Sequence, residues 1–186
     1  MTSIYANGGF TQESWERLDK DAGLPAHPFA EGVKLLVPQA RFLAGPDAFL
    51  AVAGDIAVLV SPGDDVEALA PFAARLPRIA VEFPKFSDGR GFSSARILRE
   101  QMGYEGDIRA IGDFILDQIP LMLRCGVSSF EITKPHVEAA LKAGIWPEVT
   151  HYLQPVGTVT EIPAGTRPWA RRPNSERKLT TGAVVE

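Results

Sequence analysis

The sequence predicts an α/β fold, a parallel sheet built from repeated strand–helix units. Apolar runs of strand length recur at residues 55–62, 78–84, 107–113 and 128–132, and an amphipathic stretch follows each one. Their starts lie roughly 20 to 30 residues apart, which is room for a helical, right-handed crossover between parallel neighbours. A full eightfold barrel needs about 250 residues. An open sheet and a partial barrel therefore both remain possible.

The N-terminal elements are less regular. Residues 12–20 (QESWERLDK) predict a short amphipathic helix around Trp15, and a Gly/Pro-rich stretch follows it. Residues 33–37 (VKLLV) predict a strand. Pro46 predicts the start of a helix, because proline is favoured at the first helical position.

The first two repeats carry clear helix signals. Asp64 is the expected N-cap of the helix after residues 55–62, with Glu67 as its capping-box partner. The second helix is expected over residues 88–104 and ends at Gly103. The expected apolar stripes of the two helices are Val66, Leu69, Ala73 and Leu76 in the first, and Phe92, Ala95, Leu98 and Met102 in the second.

The later repeats contain one ambiguity. A third helix is expected over residues 115–126 and a short closing helix over 136–144. Pro120 is tolerated in the first turn if the third helix begins at Asp117, but it forces a kink if the helix begins at Asp113.

Length and composition describe a soluble globular protein with irregular ends. The chain has 186 residues, of which 45% are hydrophobic and 23% charged, and its mean hydropathy is near zero. We divide it into an N-terminal segment (1–32), an α/β domain (33–145) and a C-terminal extension and tail (146–186). The basic tail from Gly165 is expected to be disordered. The alternative is a tether for an acidic partner, anchored by Trp169.

Charge and cysteine content exclude several classes of protein. A net charge of −4 argues against binding to nucleic acid or to an anionic membrane. No apolar run approaches a membrane span and the start lacks the order of a signal peptide, so we expect a cytoplasmic protein. Cys125 is the sole cysteine and the three histidines are widely spaced. The sequence therefore encodes no iron–sulfur cluster and no zinc site, and we assign no set of residues to a metal. The cofactor is unknown, and a flavin or nicotinamide is not excluded.

The first candidate site is the junction after residues 78–84. Its glycines allow a sharp turn into a helix that Ser93 or Ser94 could cap, and such helix starts attract anions. It is neither a Walker A loop nor a dinucleotide fingerprint. The alternative is a loop pinned by an Asp88–Arg90 or Asp88–Arg96 pair. The residues expected to bind an anion or other small ligand are Lys85, Asp88, Arg90, Ser93 and Arg96 here, and Asp117 and Gln118 at the next junction.

Further candidates lie at the next strand end and within the strands. Asp113 is a candidate general base or metal ligand, or alternatively a helix N-cap. The charged Glu82, Arg109 and Glu131 interrupt apolar strands, so they predict an ion-pair network or a polar pocket. Asp113, Arg109 and Glu82 are the candidate catalytic residues. Cys125 is expected to be a core or boundary thiol rather than a nucleophile, because no histidine is near it in sequence.

Residues 81–132 resemble a bacterial domain-of-unknown-function family. The phrases FPKFSDGRGFSSARILR, GYEGDIRAIGD and DQ…LRCG are similar in order and composition to its signature. Members of that family are labelled probable oxidoreductases or accessory proteins of assimilatory sulfite reduction. The sequence departs from the family pattern at GVSSF, where GFDxF is usual, at Pro120 and in its extended C-terminal region.

The resemblance implies a role in sulfur assimilation. The first hypothesis is an accessory protein of sulfite reduction whose partner is sulfite reductase or another sulfur-assimilation enzyme. The second is a small-molecule enzyme that acts on an anionic substrate at the strand ends, through Asp113, Arg109 and Arg90. The third is a flavin- or nicotinamide-dependent oxidoreductase.

Overall fold

The computed structural model describes residues 1–19, 34–51, 55–147, 151–153 and 161–173. The strands are β1 (Thr2–Ala6), β2 (Gly9–Glu13), β3 (Glu16–Arg17), β4 (Lys34–Pro38), β5 (Asp55–Val60), β6 (Arg78–Phe83), β7 (Asp107–Gly112), β8 (Ser129–Ile132), β9 (Glu161–Ala164) and β10 (Arg167–Pro173). The α-helices are α1 (Gln39–Ala44), α2 (Pro46–Leu50), α3 (Arg90–Arg96), α4 (Ile119–Arg124) and α5 (Pro135–Lys142). Two 3₁₀ helices cover Val66–Arg75 and Leu116–Gln118.

The predicted α/β fold is confirmed, and its sheet is a curled half-barrel. The eight strands lie in the order β2-β1-β8-β7-β6-β5-β4-β3. Strands β3 to β8 run parallel to one another, whereas β1 is antiparallel to both β2 and β8. Consecutive parallel strands are therefore adjacent in space, as the repeated strand–helix pattern predicts.

The helices pack on one face of this sheet. Alternate side chains of the central strands, such as Val58, Val81 and Phe130, join helical residues in the main core. The residues between them form a second, smaller core on the opposite, concave face. Its buried members are Leu36, Ala57, Leu59, Ala80 and Ile111, and Trp15 packs against them.

The N-terminal segment crosses from one edge of the sheet to the other. Strand β2 is one edge and β3 is the opposite edge, yet only two residues, Ser14 and Trp15, separate them in sequence. The carboxylate of Glu13 on β2 lies 3.3 Å from the ammonium of Lys34 on β4. Such a short connection requires the sheet to curl until its edges face each other.

The structure corrects the predicted helix around Trp15. Residues 12–20 are described up to Asp19 and contain the end of β2 and all of β3. Glu13, Trp15 and Arg17 contact groups on the concave side of the sheet, which is the period-two alternation of extended chain. Pairing with β4 overrides the local helical pattern.

Two expected helix starts are also corrected. Asp65, not Asp64, caps the 3₁₀ helix Val66–Arg75 through the backbone N–H of Glu67, while the Asp64 carboxylate accepts from the backbone N–H of Ser61. The second helix begins at Arg90 and continues beyond α3 as a π-helical turn over Ile97–Gln101.

Other helix predictions are confirmed. Gly103, with φ of +63°, follows the second helix, and a helix begins at Pro46. Pro120 lies in the first turn of α4, so it introduces no kink.

The prediction of a disordered tail is wrong for residues 165–173. Strand β10 pairs antiparallel with β9 to form a separate two-stranded sheet. The side chain of Trp169 and residues 174–186 lie outside the described part of the chain, as do the Gly/Pro-rich residues 20–33. The boundaries at residues 32 and 145 stay a prediction, although β1 to β3 belong to the same sheet as the repeats.

Candidate functional site

The loop between β6 and α3 is built around an Asp88–Arg90 pair. The Asp88 carboxylate accepts from Nε and Nη2 of Arg90 at 3.0 and 2.7 Å, and from the Arg90 backbone N–H at 3.2 Å. The hydrogen bonds from the Arg90 side chain are the largest cause that lowers the pKa of Asp88, to about 2. The Arg90 side chain is 63% exposed. The predicted Asp88–Arg90 pin is therefore present, and it leaves the guanidinium facing solvent.

The other residues that the sequence predicts as ligands at this junction do not take the predicted positions. Gly89 occupies the N-cap of α3 and no side chain caps the helix, so the predicted capping by Ser93 or Ser94 is wrong. Ser93 is exposed, and Arg96 pairs with Glu100 at 2.8 Å rather than with Asp88. Glycine is required at residue 91, because a Cβ there would lie 2.7 Å from the ring of Phe83.

The second junction follows β7 and contacts the first. The Asp113 backbone N–H donates to the Phe83 carbonyl at 2.7 Å, and the Asp113 carboxylate pairs with Lys134 at 2.6 Å. Asp113 does not cap a helix, because Ile115 occupies that position and its N–H donates to the Gln118 side chain. Gln118 in turn donates to the Phe86 carbonyl at 3.1 Å, whereas Asp117 is exposed.

A shallow cleft opens at the carboxyl ends of β7 and β8. It encloses about 150 Å³, including space open to solvent, and its lining residues are Gly112, Phe114, Glu131, Ile132, Thr133, Lys134 and Val137. Burial raises the pKa of Glu131, while Arg109 and Arg17 oppose that shift. Parallel α/β sheets bind ligands at this end of their strands.

The amino ends of the same strands hold a dense network of charges. The Arg109 side chain, 6% exposed, donates to Glu13 at 2.6 Å and to the Ser129 hydroxyl at 3.0 Å. Arg78 donates to Asp107 at 2.6 Å. The ring of Trp15 lies within 5.5 Å of three cations, namely Lys34, Arg78 and Arg109.

The carboxylates of this network are held ionised. Burial opposes the charge of Asp107, but hydrogen bonds from Ser128, Arg78 and Ser129 outweigh it and lower its pKa. Burial likewise opposes the charge of Glu13, but hydrogen bonds from Trp15, Arg109 and Lys34 bring its pKa to about 2. Such buried pairs hold the strands in this one arrangement, because any other arrangement would leave a buried charge without its partner.

The three candidate catalytic residues have separate partners. Glu82 accepts from Arg17 at 3.1 Å and from the Ser61 hydroxyl at 2.7 Å, Arg109 pairs with Glu13, and Asp113 pairs with Lys134. The ion-pair network expected among Glu82, Arg109 and Glu131 is therefore corrected: Glu82 and Arg109 pair with Arg17 and Glu13 of the N-terminal segment, and no salt bridge joins the three strand charges, all of them described residues, to one another. The catalytic roles of these residues stay a prediction.

Sequence reasoning missed the residues that complete this network. Glu13, Trp15 and Arg17 lie on consecutive alternate positions, a pattern that a strand interpretation of the N-terminal segment would have revealed. Asp107, Ser128 and Ser129 gave no signal, because polar residues at the start of a strand are common.

Across the described ranges, no three His, Cys, Asp or Glu side chains gather in a way that could hold a metal ion. Cys125 is buried, and burial raises the pKa of its thiol. None of the described helices is both long and apolar enough to span a membrane.

Comparison with known proteins gives one result. A family model described as a bacterial protein of unknown function (DUF934) matches residues 57–158, more than half of the chain. A comparison with curated proteins finds no match. The matched segment includes both junctions at the carboxyl ends of β6 and β7, the π-helical turn and the cleft. The chain belongs to the DUF934 family.

Proposed function

We propose that this chain is a cytoplasmic accessory protein of assimilatory sulfite reduction, which docks to sulfite reductase or to another sulfur-assimilation enzyme. The proposal draws on the resemblance of residues 81–132 to a family labelled in that way. Those residues lie inside the segment that the family model matches.

One structural observation carries the proposal. The three phrases of the motif follow one another over residues 83–99, 103–113 and 117–126, and parts of all three meet at the carboxyl ends of β6 and β7. Gln118 of the third phrase donates to the carbonyl of Phe86 in the first, and Asp113 of the second donates through its backbone to Phe83. Lys85, Phe86 and Ser87 are exposed there. A motif that builds an exposed, cross-braced loop supports recognition of a partner more than packing of a core.

The chemistry of the pathway favours a supporting role. Reduction of sulfite to sulfide takes six electrons, which a haem or an iron–sulfur cluster handles. A chain with one cysteine cannot ligate a four-cysteine cluster by itself. We therefore assign electron transfer to the partner and docking to this chain.

The test is growth of a gene-deletion strain on sulfate, sulfite, sulfide or cysteine as the sole sulfur source. We expect failure on sulfate and sulfite, with rescue by sulfide and cysteine. Normal growth on all four would contradict the proposal. Purified protein that is yellow and turns over a substrate without a partner would instead favour the flavin-dependent oxidoreductase.

A further inference from the structure

The loop after β6 presents an aromatic side chain to solvent. Phe86 is 54% exposed, between the exposed Lys85 and Ser87. A single exposed hydrophobic residue is ordinary on a protein surface and by itself indicates nothing. Phe86 differs from such a residue in the way its backbone is held and in the charges on its loop.

The backbone around Phe86 is held in place on both sides. The Gln118 side chain donates to the Phe86 carbonyl at 3.1 Å and accepts from the backbone N–H of Ile115 at 3.1 Å. The backbone N–H of Asp88 closes a turn onto the Lys85 carbonyl at 2.9 Å. A residue displayed on a braced turn loses little conformational entropy when it binds, and this is the preorganisation that favours tight docking.

Two cations, Lys85 and Arg90, belong to the same loop as Phe86. Lys85 is exposed and forms no salt bridge with a described residue, although its charge helps to lower the pKa of Asp88. Arg90 uses Nε and Nη2 on Asp88, while its Nη1 extends over Gly63, 3.7 Å from where a Cβ of that residue would lie. An apolar anchor beside cations is complementary to an apolar pocket with carboxylates at its rim.

We propose that Phe86 is the anchor of a docking surface, and that it inserts into an apolar pocket rimmed by carboxylates on a folded partner protein. This inference rests on the proposed function, which makes sulfite reductase the partner to test. Phe86 supplies the buried contact, Lys85 steers association, and Gln118 and the Asp88–Arg90 pair position the loop. Buried aromatic anchors carry a large share of binding energy at protein interfaces.

The test measures binding of the full-length chain to sulfite reductase from the same organism. We expect Phe86→Ala to weaken binding about thirty-fold or more. Ile145→Ala is the matched control, because Ile145 is 57% exposed and lies beyond α5. It should bind like the wild type. Lys85→Glu should slow association at low salt, and the difference from the wild type should shrink as salt rises.

Two results would contradict the proposal that Phe86 anchors a protein-docking surface. One is Phe86→Ala binding as tightly as the wild type. The other is wild-type affinity for vesicles of phosphatidylglycerol that Phe86→Ala abolishes, because the loop would then be a membrane contact. Unchanged unfolding by urea in Phe86→Ala would establish that the variant is folded.

Growth separates failure of the anchor from failure of the proposed function. In the deletion strain, Phe86→Ala expressed at wild-type level should fail to restore growth on sulfite, whereas Ile145→Ala should restore it. Full rescue by Phe86→Ala would overturn the anchor and leave the proposed function standing. A deletion strain without a growth defect would overturn the proposed function, and this inference would fall with it.

Discussion

The two ends of the parallel strands use charged side chains in opposite ways. At the amino ends, Arg109 is 6% exposed and its partners Glu13 and Asp107 are themselves largely buried. At the carboxyl ends, Arg90 is 63% exposed and its single carboxylate partner is on the same loop. The first arrangement ties distant segments together, whereas the second shapes a local turn.

This difference distinguishes the residues that stabilise the fold from the exposed residues that are available to contact a ligand or a partner. The amino-end network joins β2, β4, β6, β7 and β8, so loss of its most buried member, Arg109, leaves the Glu13 and Asp107 carboxylates with fewer partners. The carboxyl-end loops are braced by hydrogen bonds to the backbone carbonyls of Phe83 and Phe86 and by the local Asp88–Arg90 pair. Their exposed side chains can change without disturbing the core, as is general for α/β folds that bind ligands or partners at this end.

Removal of Arg109 should have the largest effect on stability. Arg109→Met leaves Glu13 and Asp107 buried with fewer partners, and breaking a buried pair in this way costs about 3–5 kcal/mol. Arg75→Met is the matched control, because its partner Asp47 is almost fully exposed, and such a surface pair contributes less than about 1 kcal/mol. Urea unfolding measures both. Equal losses would show that the network stabilises the fold no more than a surface pair does.

The second-largest loss of stability is expected at low pH, where Glu13 at the amino ends of the strands becomes protonated. The pKa of Glu13 falls from 4.5 to about 2 in the folded protein, so the unfolded state binds more protons between those values. The stability that Glu13 contributes is present above about pH 4.5 and is lost as the pH falls towards 2. Unfolding followed against pH should show a steeper acid loss in the wild type than in Glu13→Gln. Asp47→Asn should keep the wild-type slope, and identical slopes in all three proteins would contradict the assignment.

The smallest effect on stability is expected at the carboxyl end. Arg90→Ala removes a side chain that is 63% exposed, and its loss opens the Asp88 carboxylate, 17% exposed in the pair, to water, so the urea midpoint should change little. The variant should nevertheless lose part of its affinity for sulfite reductase, because the loop is no longer pinned. A loss of stability comparable with that of Arg109→Met would abolish the distinction between the two ends.

Much of the α/β scaffold could be predicted because its signals are local. The apolar runs at β5 to β8 lie within one or two residues of the predictions, since a strand buried on both faces must be continuously apolar. The Asp88–Arg90 pair is one of the two ion pairs that the sequence predicts for this loop, because its members are two residues apart. The segment around Trp15 is a strand and not the predicted helix, because nine residues of mixed polarity fit a helix and an edge strand equally well.

The sequence by itself determined the repeated strand–helix order, the parallel sheet and the glycine-containing loop after residues 78–84. Hydrophobic periodicity and turn residues act over a few positions and can be recognised without knowledge of neighbours. Only the tertiary structure decided that Glu13 meets Arg109, 96 residues away, and that Gln118 braces Phe86. Those contacts depend on how far the sheet curls and which strands become neighbours, and these follow from packing of the whole chain.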